Sequence, residues 1–304
     1  YELRPKMTIM TCDVRDYRSF LDIVSGESID TVFHLAASSI VGVAARGPLP
    51  TLETNILGTI NVLEVCRQQG VKRILVASSD KAYGDHPNTL PFREGHALKG
   101  LHIYDTSKSC VDLIAQTYYS QFQLPVRVPR CCNIYGPGDL NFSRLVPGTI
   151  SRLMEGIQPV IRAGQAGVKR QYMFVQDAVD AYLAIGKSIS ESPAASDGEA
   201  REVAYAECAY NVGSSKACIR TTQEMLHLMQ GMMGTDATAV ERPRPTHAED
   251  QPNHQYVDSE KIKKELGWAA HTELESGLRE TIAWYQTHRN SLKRTYQAEI
   301  LSST

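Results

Sequence analysis

The amino-acid sequence predicts a doubly wound α/β fold, in which helices cover a parallel β-sheet. Its first two-thirds alternate short apolar runs with longer segments of helical periodicity. The apolar runs are hydrophobic throughout rather than at every second position, which is typical of parallel strands buried on both faces. Regular alternation of strand and helix indicates right-handed crossover connections within one sheet. The pattern changes from about Pro137, which predicts a second, smaller α/β lobe.

The predicted elements follow in order along the chain. Strands are predicted over residues 7–13, 30–36, 73–78 and 126–131, and helices over residues 17–24, 49–69 and 104–122. Later helices are predicted over residues 144–155, 176–187, 221–233, 259–266 and 274–287, with short strands over 159–162 and 209–212. We therefore expect a sheet domain over residues 1–136 and a mainly ligand-binding lobe over 137–304. Residues 171–184 are a candidate segment to return to the main sheet.

Composition narrows the class of protein. The 304 residues carry a formal net charge of -2 and are 42% hydrophobic, which suits one large core or a core with an attached lobe. No block of like charges suggests a nucleic-acid partner, and no apolar run reaches the ~18 residues that a membrane span needs. The seven cysteines contain no C-x-x-C pair, so neither a disulfide framework nor a metal site is expected. We expect a cytoplasmic protein with reduced thiols.

A tyrosine and a lysine stand four residues apart on a predicted helix, in the run Tyr104-Asp-Thr-Ser-Lys108. Residues at this spacing share one helix face. The cation of Lys108 favours the phenolate of Tyr104 and so lowers the pKa of the phenol. A phenolate held ready in this way can accept the proton of a substrate hydroxyl. Alone, the spacing more often marks a solvated aromatic–lysine pair, so the interpretation depends on its surroundings.

Polar residues follow two of the predicted strands. Ser79, Asp80 and Lys81 come directly after the strand over residues 73–78, and Asn133 follows the strand over 126–131. Ligands of open parallel sheets bind outside the carboxyl ends of the strands. An ordinary turn needs only one or two polar positions, so three in succession indicate a ligand site at this edge.

Five segments together carry a specific resemblance. They are His34-Leu-Ala-Ala37, Glu53-Thr-Asn-Ile-Leu-Gly-Thr59, Ser79-Asp-Lys-Ala-Tyr-Gly84, Tyr104-Asp-Thr-Ser-Lys108 and Asn133-Ile-Tyr-Gly-Pro137. In their order and approximate spacing they resemble the extended short-chain dehydrogenases/reductases, the NAD-dependent epimerase/dehydratase family. The likeness continues through Arg170 and Asp177 to Leu266-Gly-Trp268. It implies a Rossmann-type sheet, an NAD cofactor and a nucleotide-diphosphate sugar as substrate.

The residues after the third predicted strand separate the reactions of this family. The run Ser79-Asp80-Lys81 is most similar to the CDP-glucose 4,6-dehydratases. The resemblance implies that Ser79, Tyr104 and Lys108 serve oxidation at sugar carbon 4, and that protonated Asp80 donates to the departing 6-hydroxyl. Lys81 is either the base at carbon 5 or a group that polarises a water or orients Asp80.

Two other functions stay open. The segment Ile134-Tyr-Gly-Pro137 is closer to the epimerases, so a nucleotide-sugar 4-epimerase is the first alternative. An alternative from another class is a non-catalytic relative that senses nucleotides or binds RNA. The net charge of -2 and the lack of a basic stripe count against RNA.

The resemblance also implies binding residues. The predicted cofactor-binding residues are Asp13, Val14, Leu35, Ala36, Ala37, Asn55, Tyr104 and Lys108. Asp13 could equally cap the helix that follows it. The predicted substrate-binding residues are Asn133, Arg144, Leu145, Val146, Arg170 and Arg242, with Arg244 as a neighbour of the last. Arginine suits a diphosphate because its planar fork donates two parallel hydrogen bonds, and the start of a helix favours an anion.

Two expectations concern the whole molecule. Enzymes of this class bind the cofactor pyrophosphate at a G-x-x-G-x-x-G turn after their first strand, and the sequence contains no such turn. We expect that first β-α unit to lie upstream of Tyr1. We also expect a homodimer formed through the helices over residues 49–69 and 104–122, as in similar proteins.

Overall fold

The computed structural model describes residues 6–84, 90–189, 206–243 and 254–293. The chain divides into two compact units, each assembled from separate segments of the sequence. The first unit comprises Tyr1–Gly84, Glu94–Arg130 and Ile185–Tyr210. The second comprises Asp85–Arg93, Cys131–Ala184 and Asn211–Thr304. The division therefore differs from the single boundary after residue 136 that the sequence suggests.

The first unit is built on a mostly parallel β-sheet. Its strands are β1 Thr31–His34, β2 Arg73–Val76, β3 Ser78–Ser79 and β4 Val126–Cys131, in the order β1-β2-β4-β3. β1 pairs in parallel with β2, and β2 pairs in parallel with β4. The carboxyl ends of these three strands consequently meet at one edge of the sheet, as the doubly wound fold requires.

The helices of this unit are α1 Tyr17–Gly26, α2 Val41–Arg46, α3 Pro48–Leu52, α4 Gly58–Gln69 and α5 Ile103–Phe122. Helices α4 and α5 pack against the sheet, α1 packs against α4, and α2 and α3 pack against α5. The apolar core of the unit includes Leu63 and Cys66 of α4, Val111 and Ala115 of α5, Ile74 and Val76 of β2, and Val126 and Val128 of β4. Burying a valine or leucine side chain completely stabilises a fold by about 1.5–3 kcal/mol, so this core holds the sheet edge in place.

The strand predicted over residues 7–13 is wrong. These residues have no regular secondary structure, and Met7, Ile9 and Met10 are exposed. β1 is the end strand of the described sheet, and no described strand pairs with this segment. A strand is stabilised by hydrogen bonds to a neighbour, so an apolar run is not sufficient to form one.

The helix predicted over residues 49–69 is interrupted. A π-helical turn, Glu53–Leu57, separates α3 from α4. Asn55 in this turn is buried, and its side chain bonds to Ser38 and Ser107 rather than facing solvent. Gly58 lies so close to Val14 that a Cβ atom there would stand 2.7 Å from Val14 Cγ2. Such tertiary contacts are not visible in helical periodicity, and π-turns of this kind often occur at functional sites.

The second unit contains two small sheets. Strands β5 Asn133–Tyr135, β7 Lys169–Phe174 and β9 Ile219–Thr221 form one, and β6 Val160–Arg162 pairs with β10 Val240–Arg242 in the other. The later helices are α6 Leu145–Met154, α7 Val175–Ser188, α8 Thr222–Met233, α9 Glu260–Leu266 and α10 Leu274–Thr287. Their apolar faces form a separate core that includes Ile150, Met225, Leu278 and Tyr285.

Residues 171–184 do not return to the main sheet. β7 pairs in parallel with β5 and antiparallel with β9. The strand that joins β4 is β8, Ala209–Val212, and the N–H of Val128 donates to the carbonyl of Cys208 beside it at 3.0 Å. Both β7 and β8 are almost entirely buried although each contains polar residues, so the sequence does not reveal which of them pairs with β4.

Three further features of the described residues concern disulfides, metal ligands and membrane-spanning helices. All seven cysteines are free thiols. Within the described ranges, no group of three or more His, Cys, Asp or Glu side chains could hold a metal ion. No helix in the same part of the chain is long and apolar enough to cross a membrane.

Candidate active site

The turn after β3 presents a serine and an aspartate in direct contact. Ser79 caps the 3₁₀ turn Asp80–Tyr83, and its Oγ accepts a hydrogen bond from the backbone N–H of Lys81 at 3.2 Å. The same hydroxyl donates to Oδ1 of Asp80 at 3.1 Å. Asp80 is only 2% exposed, so its carboxyl group is removed from bulk water.

Helix α5 carries Tyr104 and Lys108 one turn apart. Lys108 is buried, and its Nζ donates to the carbonyl oxygen of Ala77 at 2.7 Å. This bond joins the helix to the end of β2, two residues before Ser79. Tyr104 is half-buried near the start of the same helix. The structure thus holds Lys108 at the carboxyl end of β2.

The turn and the helix are also joined directly. Ser109, the residue after Lys108, donates from its hydroxyl to the carbonyl oxygen of Ala82 at 2.7 Å. The N–H of Lys99 donates to the same carbonyl at 3.1 Å. The segment that carries Ser79, Asp80 and Lys81 therefore packs against the helix that carries Tyr104 and Lys108.

His34 is a polar residue of this site to which sequence reasoning assigned no role. It ends β1 and is buried, and its Nε2 lies 2.9 Å from Oγ1 of Thr59. Burial and the positive charge of Lys108 lower the pKa of His34 to about 4. The imidazole is therefore neutral near pH 7 beside a charged lysine. Its position at the end of a parallel strand was the signal that could have identified it.

Asn55 fastens the segment that follows β1. Its Oδ1 accepts from the N–H of Ser38 at 2.7 Å, and its Nδ2 donates to the carbonyl oxygen of Ser38 at 3.2 Å. Nδ2 also donates to Oγ of Ser107 on α5 at 2.9 Å, and that hydroxyl donates to the carbonyl of Tyr104 at 2.7 Å. Asn55 thereby links the backbone after Ala37 to the helix of the tyrosine–lysine pair.

Asp13 lies at the surface and is engaged by a neighbour. Arg15 donates to the Asp13 carboxylate from its backbone N–H and from its guanidinium, at distances from 2.6 to 3.1 Å. These hydrogen bonds lower the pKa of Asp13 to about 2. The alternative role of Asp13 as a helix cap is wrong, because Asp16 caps α1 through the N–H of Ser19. Val14 is half-buried against Gly58, and its carbonyl accepts from Asn61 at 2.9 Å.

The carboxyl edge of the first unit fits a flat polar cofactor. Leu35 and Ala36 are exposed and Ala37 is half-buried, so the backbone after β1 is accessible. Ser78 is buried at the end of the neighbouring strands, and its Oγ has no hydrogen-bond partner among the described residues. These groups suit a nicotinamide nucleotide. Its amide and ribose hydroxyls can form hydrogen bonds with the accessible backbone, with the Ser78 hydroxyl and with the cation of Lys108.

The second unit places some of the predicted substrate residues on its sheets and others in its core. Asn133 begins β5, and its Nδ2 donates to the carbonyl oxygen of Gln171 at 3.1 Å. Arg144 is exposed at the N-cap of α6 and pairs with Asp139 at 3.1 Å. Leu145 and Val146, the first two residues of α6, pack into the apolar core of the unit. Only their backbone N–H groups are therefore suited to a ligand.

Arginines of the second unit lie beside one another on paired strands. Arg170 is 8% exposed on β7, opposite Arg220 of β9, so it is not at the surface. Arg242 of β10 pairs in register with Arg162 of β6. Burial and the charge of Arg242 lower the pKa of Arg152, which places these two guanidinium groups near each other. Like charges in such proximity favour a bound anion. Arg244 lies outside the described residues.

The parallel sheet, with Ser79, Asp80, Tyr104 and Lys108 at its carboxyl edge, defines the class of protein as an extended short-chain dehydrogenase/reductase. Residues 1–281 match the family model described as GDP-mannose 4,6 dehydratase. The chain is 31% identical over 264 residues to a dTDP-glucose 4,6-dehydratase of Streptomyces griseus, covering 86% of this chain and 73% of that protein.

A CDP-glucose 4,6-dehydratase of Salmonella typhimurium is 25% identical over 288 residues, which are 90% of this chain and 75% of the relative. Among solved structures, the dTDP-glucose 4,6-dehydratase DesIV of Streptomyces venezuelae, solved with NAD bound, superimposes with a TM-score of 0.84 at 23% identity. That superposition covers 97% of this chain and 84% of DesIV. The chain belongs to the GDP-mannose 4,6 dehydratase family of nucleotide-sugar enzymes.

Proposed function

We propose that this protein is an NAD-dependent nucleotide-sugar 4,6-dehydratase. The single observation that carries the proposal is the position of Asp80. It is buried on a turn that is bonded to the helix of Tyr104 and Lys108. A dehydratase needs an acid for the leaving hydroxyl beside the group that removes the first proton, whereas an epimerase needs only the latter.

Tyr104 is the base of the first step. The nearby cation of Lys108, held by the Ala77 carbonyl, favours the phenolate, which accepts the proton of the sugar 4-hydroxyl. A bound nicotinamide nucleotide would supply the chemistry that no side chain can, which is removal of hydride from carbon 4 and its return at carbon 6. His34, neutral beside Lys108, adds no second positive charge to this part of the site.

Asp80 is the acid of the second step. The ketone at carbon 4 acidifies the hydrogen on carbon 5, and its loss expels the 6-hydroxyl, which leaves as water with the proton of Asp80. The hydrogen bond from Ser79 orients the Asp80 carboxyl group. Lys81 has one of two roles: it removes the carbon-5 proton, or it polarises a water or orients Asp80. Return of a proton to carbon 5, together with the hydride at carbon 6, gives a 4-keto-6-deoxy sugar nucleotide.

The residues proposed to hold the cofactor lie in the first unit. Leu35, Ala36 and Ala37 would offer backbone to the nicotinamide nucleotide, and Asn55 would hold that backbone in place. Asp13 would contact the adenine, with Val14 beside it. The Asp13 carboxylate must then share its hydrogen-bonding capacity with Arg15.

The residues proposed to hold the substrate lie in the second unit. Arg170 and Arg242 would bind the diphosphate, because each lies next to another arginine whose repulsion an anion would relieve. Arg144 and the first N–H groups of α6 would add to this positive field. Asn133 would donate a hydrogen bond to the nucleotide diphosphate.

Three variants test the proposal on a panel of CDP-, UDP-, GDP- and dTDP-sugars. Tyr104→Phe should lower turnover at least ~100-fold with substrate affinity within a few-fold, because the phenol acts in the transition state. Asp80→Asn should block water loss yet permit oxidation, so reduced nicotinamide should accumulate on the enzyme and be visible by its absorbance. Lys81→Met should slow exchange of the carbon-5 hydrogen with deuterated solvent.

The alternatives give different outcomes in the same assay. Conversion of the sugar to its 4-epimer without loss of water would establish the epimerase instead. Unchanged turnover in Asp80→Asn would remove the acid from the mechanism, and Tyr104→Phe with more than ~10% of wild-type activity would remove the base. The assembly is proposed to be a homodimer in the cytoplasm, where the seven free cysteines would stay reduced.

A further inference from the structure

A fully buried ion pair lies behind the candidate active site. Arg130, on β4, donates from Nε and Nη2 to the two carboxylate oxygens of Asp112 on α5, both at 2.8 Å. Neither side chain has any exposed surface. Asp112 is held further by Gln116, which donates to its Oδ1 at 2.7 Å. The opposite charge and hydrogen bonds of Asp112 outweigh the effect of burial and raise the pKa of Arg130.

The same guanidinium reaches the turn that carries Asp80. Nη1 of Arg130 donates to the phenol oxygen of Tyr83 at 2.8 Å and to the carbonyl oxygen of Glu94 at 2.9 Å. The guanidinium also lies over the Tyr83 ring, 5.1 Å from its centre. Tyr83 is fully buried and closes the 3₁₀ turn that Asp80 begins.

The three residues connect the two catalytic segments. Asp112 lies four residues after Lys108 and eight after Tyr104, and residues at this spacing share one face of a helix. Tyr83 lies three residues after Asp80. Arg130 therefore bridges the helix of the base and the turn of the acid from β4, the neighbour of β3 in the sheet. Its planar guanidinium restricts the geometry of these hydrogen bonds.

Stability alone is a weak reason for such an ion pair. Removing two charges from water costs several kcal/mol per ion, and well-packed apolar side chains are often as stable or more so. We propose that the Asp112–Arg130–Tyr83 network is a positioning device that sets the distance between Asp80 and Tyr104. These residues act through others and touch no substrate. The inference rests on the proposed dehydratase function.

The variant Tyr83→Phe tests this inference because it removes one hydroxyl and keeps the ion pair. Turnover should fall about tenfold with KM within twofold, since a small misplacement of a catalytic group costs one to two orders of magnitude. The loss should fall on water elimination, so reduced nicotinamide should accumulate during turnover. Hydrogen exchange of the 79–84 amides should become faster in the cofactor-free protein, while that of α5 stays as in the wild type.

The matched control is Tyr119→Phe. Tyr119 lies on α5, donates its hydroxyl to Glu207 at 2.8 Å, and has Arg127 over its ring at 5.2 Å. The control variant thus also loses one phenolic hydrogen bond beneath an arginine, although Tyr119 donates that bond whereas Tyr83 accepts one, and it lies outside the network. Turnover, the partition between the two half-reactions and exchange of the 79–84 amides should all stay at wild-type values.

Two results would overturn the inference. One is wild-type turnover and exchange in Tyr83→Phe. The other is an equal loss in both half-reactions together with lower stability, which would make the network merely structural. A wild-type protein that converts no sugar nucleotide would instead refute the proposed function. The exchange measurement needs neither cofactor nor substrate, so it would still decide whether Tyr83 holds the turn.

Discussion

The candidate active-site residues of the first unit include polar groups placed where water is largely excluded. Asp80, Lys108 and His34 are all buried, and each has a specified neighbour: Ser79, the Ala77 carbonyl and Thr59. Burial strengthens electrostatic interactions between such groups because the local dielectric constant is low. The strength of the electrostatic interactions of each residue therefore depends on the group that faces it.

His34 makes this dependence measurable as a pH effect on stability. Its pKa is about 4 in the folded protein and about 6.5 in an unfolded chain. Between these values the unfolded chain binds a proton that the folded protein does not, so stability is lost as the pH falls through this window. From pH 7 to pH 5 the contribution should be about 2 kcal/mol, measured by urea unfolding.

The variant His34→Gln isolates this contribution. It should show a decrease in unfolding free energy between pH 7 and pH 5 that is about 2 kcal/mol smaller than the wild-type decrease. His227→Gln, at an exposed position on α8, is the control and should keep the wild-type decrease. The same pH dependence in His34→Gln as in the wild type would contradict the assignment.

At the scale of elements, the geometry of the 3₁₀ turn depends on one glycine. Gly84 ends the turn with a φ of 69°, in the left-handed region that favours glycine. A Cβ atom there would stand 1.8 Å from the carbonyl oxygen of Lys99, which is backbone and cannot move aside easily. Residue 84 can therefore lie this close to the 99–100 backbone only if it has no side chain.

Gly84→Ala should consequently destabilise the protein by about 2 kcal/mol or more, through backbone strain and the clash with Lys99. Gly26→Ala is the matched control, because no atom lies within 4 Å of the added methyl group at the end of α1. Its unfolding free energy should be unchanged or up to about 1 kcal/mol higher. Equal unfolding free energies for the two variants would show that the turn can shift without cost.

At the scale of the whole molecule, three exposed leucines and an exposed phenylalanine lie on the helices that are predicted to form the dimer. They are Leu49 of α3, Leu57 of the π-turn, and Leu113 and Phe122 of α5. Self-association through one surface on each copy is the commonest oligomer geometry. We expect a dimer by light scattering at micromolar concentration.

Leu113→Glu should raise the dissociation constant of the dimer about 100-fold, because it would bury an unpaired charge. Leu183→Glu is the matched control, since Leu183 on α7 is 46% exposed against 44% for Leu113 and lies outside the predicted interface. A wild-type monomer, or equal dissociation in both variants, would contradict the predicted interface.

The sequence by itself determined the doubly wound class, and it predicted the segments of the candidate active site. The strand Val126–Cys131 and the helix Leu274–Thr287 have the predicted bounds, and α5 begins one residue earlier than predicted. Local signals were sufficient there, because a continuous apolar run or a 3.6-residue period over several turns specifies one structure. The spacing of Tyr104 and Lys108, and their place near a strand end, required only helix geometry and the polarity of a parallel sheet.

Only the tertiary structure decided what depends on contacts between distant segments. It left residues 7–13 without a strand because no described neighbour pairs with them, and it chose β8 over β7 as the partner of β4. It interrupted the helix before Gly58, where Asn55 turns inward to Ser38 and Ser107. It also joined Asp112, Arg130 and Tyr83, which lie up to 47 residues apart, into one buried network. Hydrogen bonds and steric contacts of this kind leave no periodic mark in a sequence, because either partner alone is compatible with many structures.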